Sequence, residues 1–169
     1  MEKYMKERPK KIIFSKNEQK KIFRKMKSFV LKDLLPNPKI NKIIIFGSMA
    51  KGALGKYETS HKSRKVSRFY SDIDILLMVE DNFEIHKKWK PHFSCQSYDV
   101  FNIIKLDKKI PIQYMVCRKS KYGKKKHQKS AEIWGVPLLL NKSKHKYIIL
   151  YEKPQLGTFL QYQSPSHKY

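Results

Sequence analysis

Two seven-residue apolar runs, Ile40–Phe46 (INKIIIF) and Ile73–Val79 (IDILLMV), limit most sharply what this chain can fold into. Each is rich in β-branched residues, bounded by turn formers and far too short to span a bilayer, so both read as buried strands. The second run narrows the choice further. Asp72 leads into it and Asp74 lies within it, and a period of two places both carboxylates on one side of a sheet, close enough to repel each other. A divalent cation relieves that repulsion, because hard oxygen ligands from one or two carboxylates, completed by substrate phosphates, are the usual way Mg²⁺ is held. The plainer alternative is that Asp72 caps a turn and Asp74 pairs with a lysine, which for an isolated D-x-D would be the better reading.

The D-x-D is not isolated. The run ending at Phe46 leads directly into Gly47-Ser48-Met49-Ala50-Lys51-Gly52. Glycine lets the backbone approach a ligand closely, a serine hydroxyl and the amides of a following turn can hold phosphate oxygens, and Lys51 adds a cation. Strand, Gly-Ser, short helix, loop and then S-D-I-D opening an apolar strand form a compound pattern, far more specific than either half. I-I-I-F-G-S-M-A-K-G over 43–52 and S-D-I-D-I-L-L-M-V over 71–79 resemble the nucleotidyltransferase superfamily, the fold of DNA polymerase β and of the minimal nucleotidyltransferases. A-E-I-W-G-V-P-L over 131–138 resembles, less specifically, the helix-to-strand end of that domain.

The resemblance implies an α/β (α+β) domain with a nucleotidyltransferase-like mixed sheet, the 40–46 and 73–79 strands adjacent, and helices mainly on one face. It implies NTP as substrate, Mg²⁺ (or Mn²⁺) held by Asp72 and Asp74, and triphosphate contacts from Gly47, Ser48 and Lys51. Two departures stand out. Ser48 and Asp72 are separated by 23 residues, which implies an insertion over 57–70, read as a polar loop. Its Lys62, Arg64, Lys65 and Arg68 are candidate contacts to a polynucleotide, with a solvated loop as the equal alternative. The second departure is Gln113, which stands where the family carries a third carboxylate. An amide cannot take a proton from an attacking hydroxyl. Asp99 is the candidate substitute, provided a three-residue hairpin turn puts it on the face of Gln113; a two-residue turn would not.

Around these motifs the chain reads as one domain over 1–152 followed by a polar tail, 153–169. Ser15 and Glu18 form a capping-box pattern that starts a basic amphipathic helix over 16–35, stopped by Pro36 and Pro38. A short helix is expected after Asp81, and strands over 98–106 and 110–117 form a hairpin. A helix ends at Gly135, and two last strands are expected over 136–140 and 147–151. Trp134, beside Ile133 and Val136, reads as a core residue sooner than a base-stacking one.

Charge points to the partner. With 38 Lys and Arg against 14 Asp and Glu, the formal charge is +24, and self-repulsion of that size usually reflects a polyanionic partner, with nucleic acid first among them. Only five of the basic residues are Arg, which favours backbone contact over base reading. The six-lysine run over 119–129, including Lys124, Lys125 and Lys126, and the helix face around Lys20 and Lys27 are the expected tracks. No apolar stretch suits a membrane span or a secretion signal, and two cysteines form neither a disulfide framework nor a zinc motif, so a cytoplasmic, reducing compartment is expected. Three readings follow: transfer of a nucleotide to a nucleic-acid 3′ end, a weakened module of the same fold that binds RNA or DNA, or AMP transfer to a protein partner.

Overall fold

A four-residue strand, β1 (Lys10–Ile13), precedes helix α1 (Lys16–Leu34). The computed structural model describes residues 9–61, 64–138, 140 and 145–154. The capping box forms as the sequence predicts, with the Glu18 amide donating to Ser15 Oγ at 3.2 Å and the Ser15 amide to Glu18 Oε2 at 2.9 Å. Met26, Val30 and Leu34 recur at four-residue spacing and are buried. The chain then builds β2 (Ile40–Phe46), the single turn α2 (Gly47–Ala50), a hairpin of β3 (Gly55–His61) and β4 (Arg64–Tyr70), and β5 (Ile73–Val79). After these come β6 (Lys90–Ser94), β7 (Asp99–Leu106), β8 (Ile110–Arg118), α3 (Lys119–Tyr122), α4 (Lys125–Ile133) and β9 (Ile148–Glu152). No described helix is long and apolar enough to cross a membrane.

The fold is α+β. Its main sheet is six-stranded and mixed, in the order β6-β7-β8-β5-β2-β9, and its central pair, β5 and β8, runs parallel. The 40–46 and 73–79 strands are antiparallel neighbours. Period-two alternation splits the core between the two faces. Ile43, Ile45, Ile75 and Leu77 pack with α1 on one face, while Ile44, Phe46, Leu76 and Met78 pack with Ala131 of α4 on the other. Helices therefore cover both faces. The expectation of helices mainly on one face fails because β2 and β5 are apolar at successive positions, and each face needs its own cover.

Three further expectations are corrected. The 57–70 stretch is not a loop: β3 and β4 pair with each other, and β1 pairs with β3 to complete a separate three-stranded sheet. Ser71 closes the base of this hairpin, its Oγ donating to the Gly55 carbonyl at 3.0 Å and its amide to the same carbonyl at 2.9 Å. The segment after Asp81 is not helical, because its backbone carbonyls are taken by side chains: Arg118 donates to Asp81 O and Phe83 O, and Lys39 to Asn82 O. Phe83 and Trp89 anchor it by burial, with Trp89 packed edge-on to Tyr114 at 4.9 Å. Val136–Leu138 forms no strand, since Pro137 has no amide to give a ladder and Leu138 folds back to donate to Val136 O at 2.9 Å. Leu139 and residues 141–144 lie outside the described residues, as does most of the expected tail.

Gly55 is required where β1 meets β3, because a β-carbon there would overlap the Ile12 carbonyl of β1. Gly55→Ala is expected to lower stability by about 1–3 kcal/mol. It should also raise amide hydrogen exchange over residues 11–13 while β2 and β5 stay protected. Equal exchange in β1 and in β2 would mean that the small sheet does not depend on this contact.

Candidate functional site

Four side chains line up across the middle of the main sheet. Asp74 on β5 stands between Phe46 of β2 and Gln113 of β8, and Gln113 in turn faces Asn102 of β7. Asp74 is half-buried, and loss of hydration, followed by the charge of Asp72, pushes its pKa from 3.8 up to about 7. Burial raises Asp72 as well, with His92 acting in the opposite direction. No hydrogen bond or ion pair from a described residue reaches either carboxylate. Two acidic groups are thus close enough to repel, Asp74 largely withdrawn from water and Asp72 exposed beside it. Among the described residues no cluster of three or more His, Cys, Asp or Glu forms, so the pair supplies two ligands at most. Two carboxylates beside the amide of Gln113 suit a hard cation completed by phosphate or water, and do not suit zinc.

The turn after β2 fits closely against this pair. Gly47 has φ +67°, a conformation that favours glycine, and a β-carbon there would force the end of the Asp74 side chain to shift. Ser48 Oγ accepts a hydrogen bond from Lys11 Nζ at 3.2 Å, and the same ammonium lies 5.4 Å from the centre of the Tyr57 ring. Lys11 is a candidate site residue that sequence reasoning missed. It reaches Ser48 because β1 pairs with β3, and β3 was read as loop, so nothing local marked it. Lys51 is exposed and lines a groove of about 680 Å³ with Lys16, Lys20, Arg24 and Lys27 of α1.

Asp99 is not brought to the site. The hairpin turn does have three residues, 107–109, which alone would have put Asp99 on the face of Gln113. A bulge between Asn102 and Lys105 adds one residue to β7 and reverses that parity, so Asp99 pairs with Val116. Val116 pairs with Leu77, three residues along β5 from Asp74, and Asp99 Oδ1 accepts from Ser94 Oγ at 2.5 Å. Asn102 takes the position beside Gln113 instead, accepting from its Nε2 at 2.9 Å. Each of these amides is neutral, so the row holds no carboxylate other than Asp74.

The candidate nucleic-acid residues are spread out. Lys62 lies outside the described residues, and Arg64, Lys65 and Arg68 have their backbone on β4. Lys124, Lys125 and Lys126 begin α4 beyond the Val79 end of the sheet, five strand residues or about 17 Å from the level of Asp74. Trp134, expected in the core, is 70% exposed.

Protonation of Asp74 sets a pH dependence. Between its ordinary value of 3.8 and about 7 the folded protein holds a proton that the unfolded chain has lost. The metal-free protein is therefore expected to lose stability as pH rises through that window. Asp74→Asn should flatten this slope and raise the melting temperature at pH 7.5 by about 2–6 °C. Mg²⁺ should raise the melting temperature of the native chain and leave that of the variant unchanged. A variant that melts lower than the native chain at pH 7.5 would mean that Asp74 serves as a structural ion-pair partner.

No protein-family model matches the chain and no curated protein matches it in sequence, so what the site does has to be argued from its own residues.

Proposed function

We propose that this chain is a Mg²⁺-dependent enzyme of nucleotidyltransferase type, moving a nucleoside monophosphate from an NTP to a hydroxyl at a nucleic-acid 3′ end. One observation carries the reading: Asp74, desolvated, beside the charge of Asp72 and with no described cation on it, lies against a Gly-Ser turn whose serine is itself held by a lysine. A polyanionic nucleic acid is the acceptor that best suits the +24 charge. Cys95 and Cys117 are both free, which suits the reducing cytoplasm.

Asp72 and Asp74 would hold the metal, which when bound supplies positive charge to the reacting phosphate and its leaving oxygen. Ser48 and Lys11 would orient the triphosphate, and Gly47 lets those phosphates come close to Asp74. The acceptor oxygen forms a bond to the α-phosphorus as the bond to the β-phosphate bridging oxygen breaks, and pyrophosphate leaves. The hydroxyl proton passes to water, since Gln113 and Asn102 cannot accept it. That pairing of amides is also the observation favouring a second reading, a nucleic-acid-binding module of the same fold with little or no turnover.

The chain, incubated with labelled NTPs, Mg²⁺ or Mn²⁺ and a single-stranded oligonucleotide, is expected to extend or label the 3′ end. Asp74→Asn should lower transfer at least about 100-fold, the scale of losing a group that stabilises transition-state charge, with oligonucleotide affinity within about twofold, because the lysine tracks lie elsewhere. Lys11→Ala should raise KM for the NTP about tenfold, the loss of one charge-assisted hydrogen bond. Absence of transfer with all four NTPs, with oligonucleotide binding intact, would put the binding module in its place. Binding itself should weaken at least about 100-fold between 50 and 200 mM salt, and salt-independent affinity would remove nucleic acid as the partner.

A further inference from the structure

On the Asp74 face of the sheet, beyond Gln113, lies a cavity of about 270 Å³ walled by Phe93 of β6, Trp134 at the end of α4, Met115 and Val136, with His92 and Gln113 at its polar edge. Phe93 is 50% exposed and Trp134 70% exposed. Two large aromatic rings left this open at one cavity are poorly explained as core. Gln113 belongs both to this cavity and to the row that holds Asp74, so the cavity adjoins the candidate metal site.

Its position relative to the phosphate residues gives it a role. Gly47 and Ser48 follow β2, on one side of β5, whereas the cavity is built on β8, β7 and β6, on the other. Displacement at phosphorus is in line, so the attacking hydroxyl enters opposite the departing pyrophosphate. With the triphosphate on the β2 side, the acceptor approaches from the β8 side, across Gln113. The cavity begins one to two strand spacings from Asp74, about 5–10 Å, which is the span of a single nucleoside. Residues 85–94, which include the edge strand β6, contain Lys87, Lys88 and Lys90 and no acid, matching a polyanion's backbone.

Resting on the function proposed above, we infer that this cavity holds the unpaired terminal base of a single-stranded nucleic-acid acceptor, stacked on Trp134 and Phe93, with its sugar toward Gln113 and Asp74. Stacking on aromatic rings tolerates any base, in keeping with a chain whose cations are mostly lysines. The acceptor class is therefore a frayed or single-stranded 3′ end, and not a blunt duplex, whose last base stays paired.

Trp134 and Trp89 are the only tryptophans, and Trp89 is buried, so quenchable fluorescence reports Trp134 directly. The full chain is titrated at low salt with a single-stranded decamer and with the same decamer ending in an abasic 3′ nucleotide. The intact end should quench Trp134 and the abasic end should not, although both bind through their phosphates. Trp134→Ala should abolish the quenching and weaken the intact oligonucleotide about 5- to 150-fold relative to the abasic one, with Trp134→Phe restoring most of the preference. Equal quenching by both ends, equal affinity of Trp134→Ala for both ends to that of the native chain, binding of neither oligonucleotide, or quenching by acidic or aromatic peptides in their place would overturn the inference. The readout needs no turnover: failure of transfer with base-dependent quenching intact removes the catalytic reading and leaves the cavity's occupant standing.

Discussion

The carboxylate of Asp74 governs the arrangement around it. It is held in the middle of a six-stranded sheet, where hydration is largely lost, against the bare backbone of Gly47. An ionised group in that position costs folding free energy unless something positive joins it, and the described part of the chain offers nothing. Gly47 takes the positive φ of the turn with its backbone close to the carboxylate, and Ser48 follows it. The small sheet brings Lys11 to Ser48. A fold that tolerates such an acid at its centre does so by keeping it protonated up to about pH 7.

The opposite flank of the same row is neutral. Gln113 donates one hydrogen bond to Asn102, and the one-residue bulge in β7 is what puts Asn102, and not a carboxylate, into line. Without that bulge Asp99 would share the face of Gln113. The bulge thus decides the charge of the site as effectively as a substitution would. It leaves a centre with one acidic wall, one amide wall and, beyond the amides, an open aromatic cavity.

Much of this was legible in the residues alone. The long helix, its cap, the two apolar strands and the hairpin over 98–117 were readable because each carries a local signal of period, cap or turn. What failed depended on partners distant in sequence. Tyr57 to Tyr70 is polar on nearly every position and looks like loop; it becomes strand because β1, over 40 residues earlier, supplies a ladder edge. The parity of Asp99 turned on a bulge among Ile103 and Ile104, where every residue favours a strand and nothing marks the extra one. Trp134 was misplaced because an apolar neighbourhood in sequence does not fix which way the end of a helix faces.

The clasp between Gly55 and Ser71 has a consequence for how the chain can vary. Entry and exit of the β3–β4 hairpin are tied to each other by three hydrogen bonds, so the hairpin leaves the main sheet and returns to it at one point. Its length is then uncoupled from the distance between Ser48 and Asp72, and added or removed residue pairs beyond β3's first turns alter neither. What anchors the hairpin is therefore its base, where β1 pairs with residues 55–58 and Gly55 and Ser71 lock entry to exit.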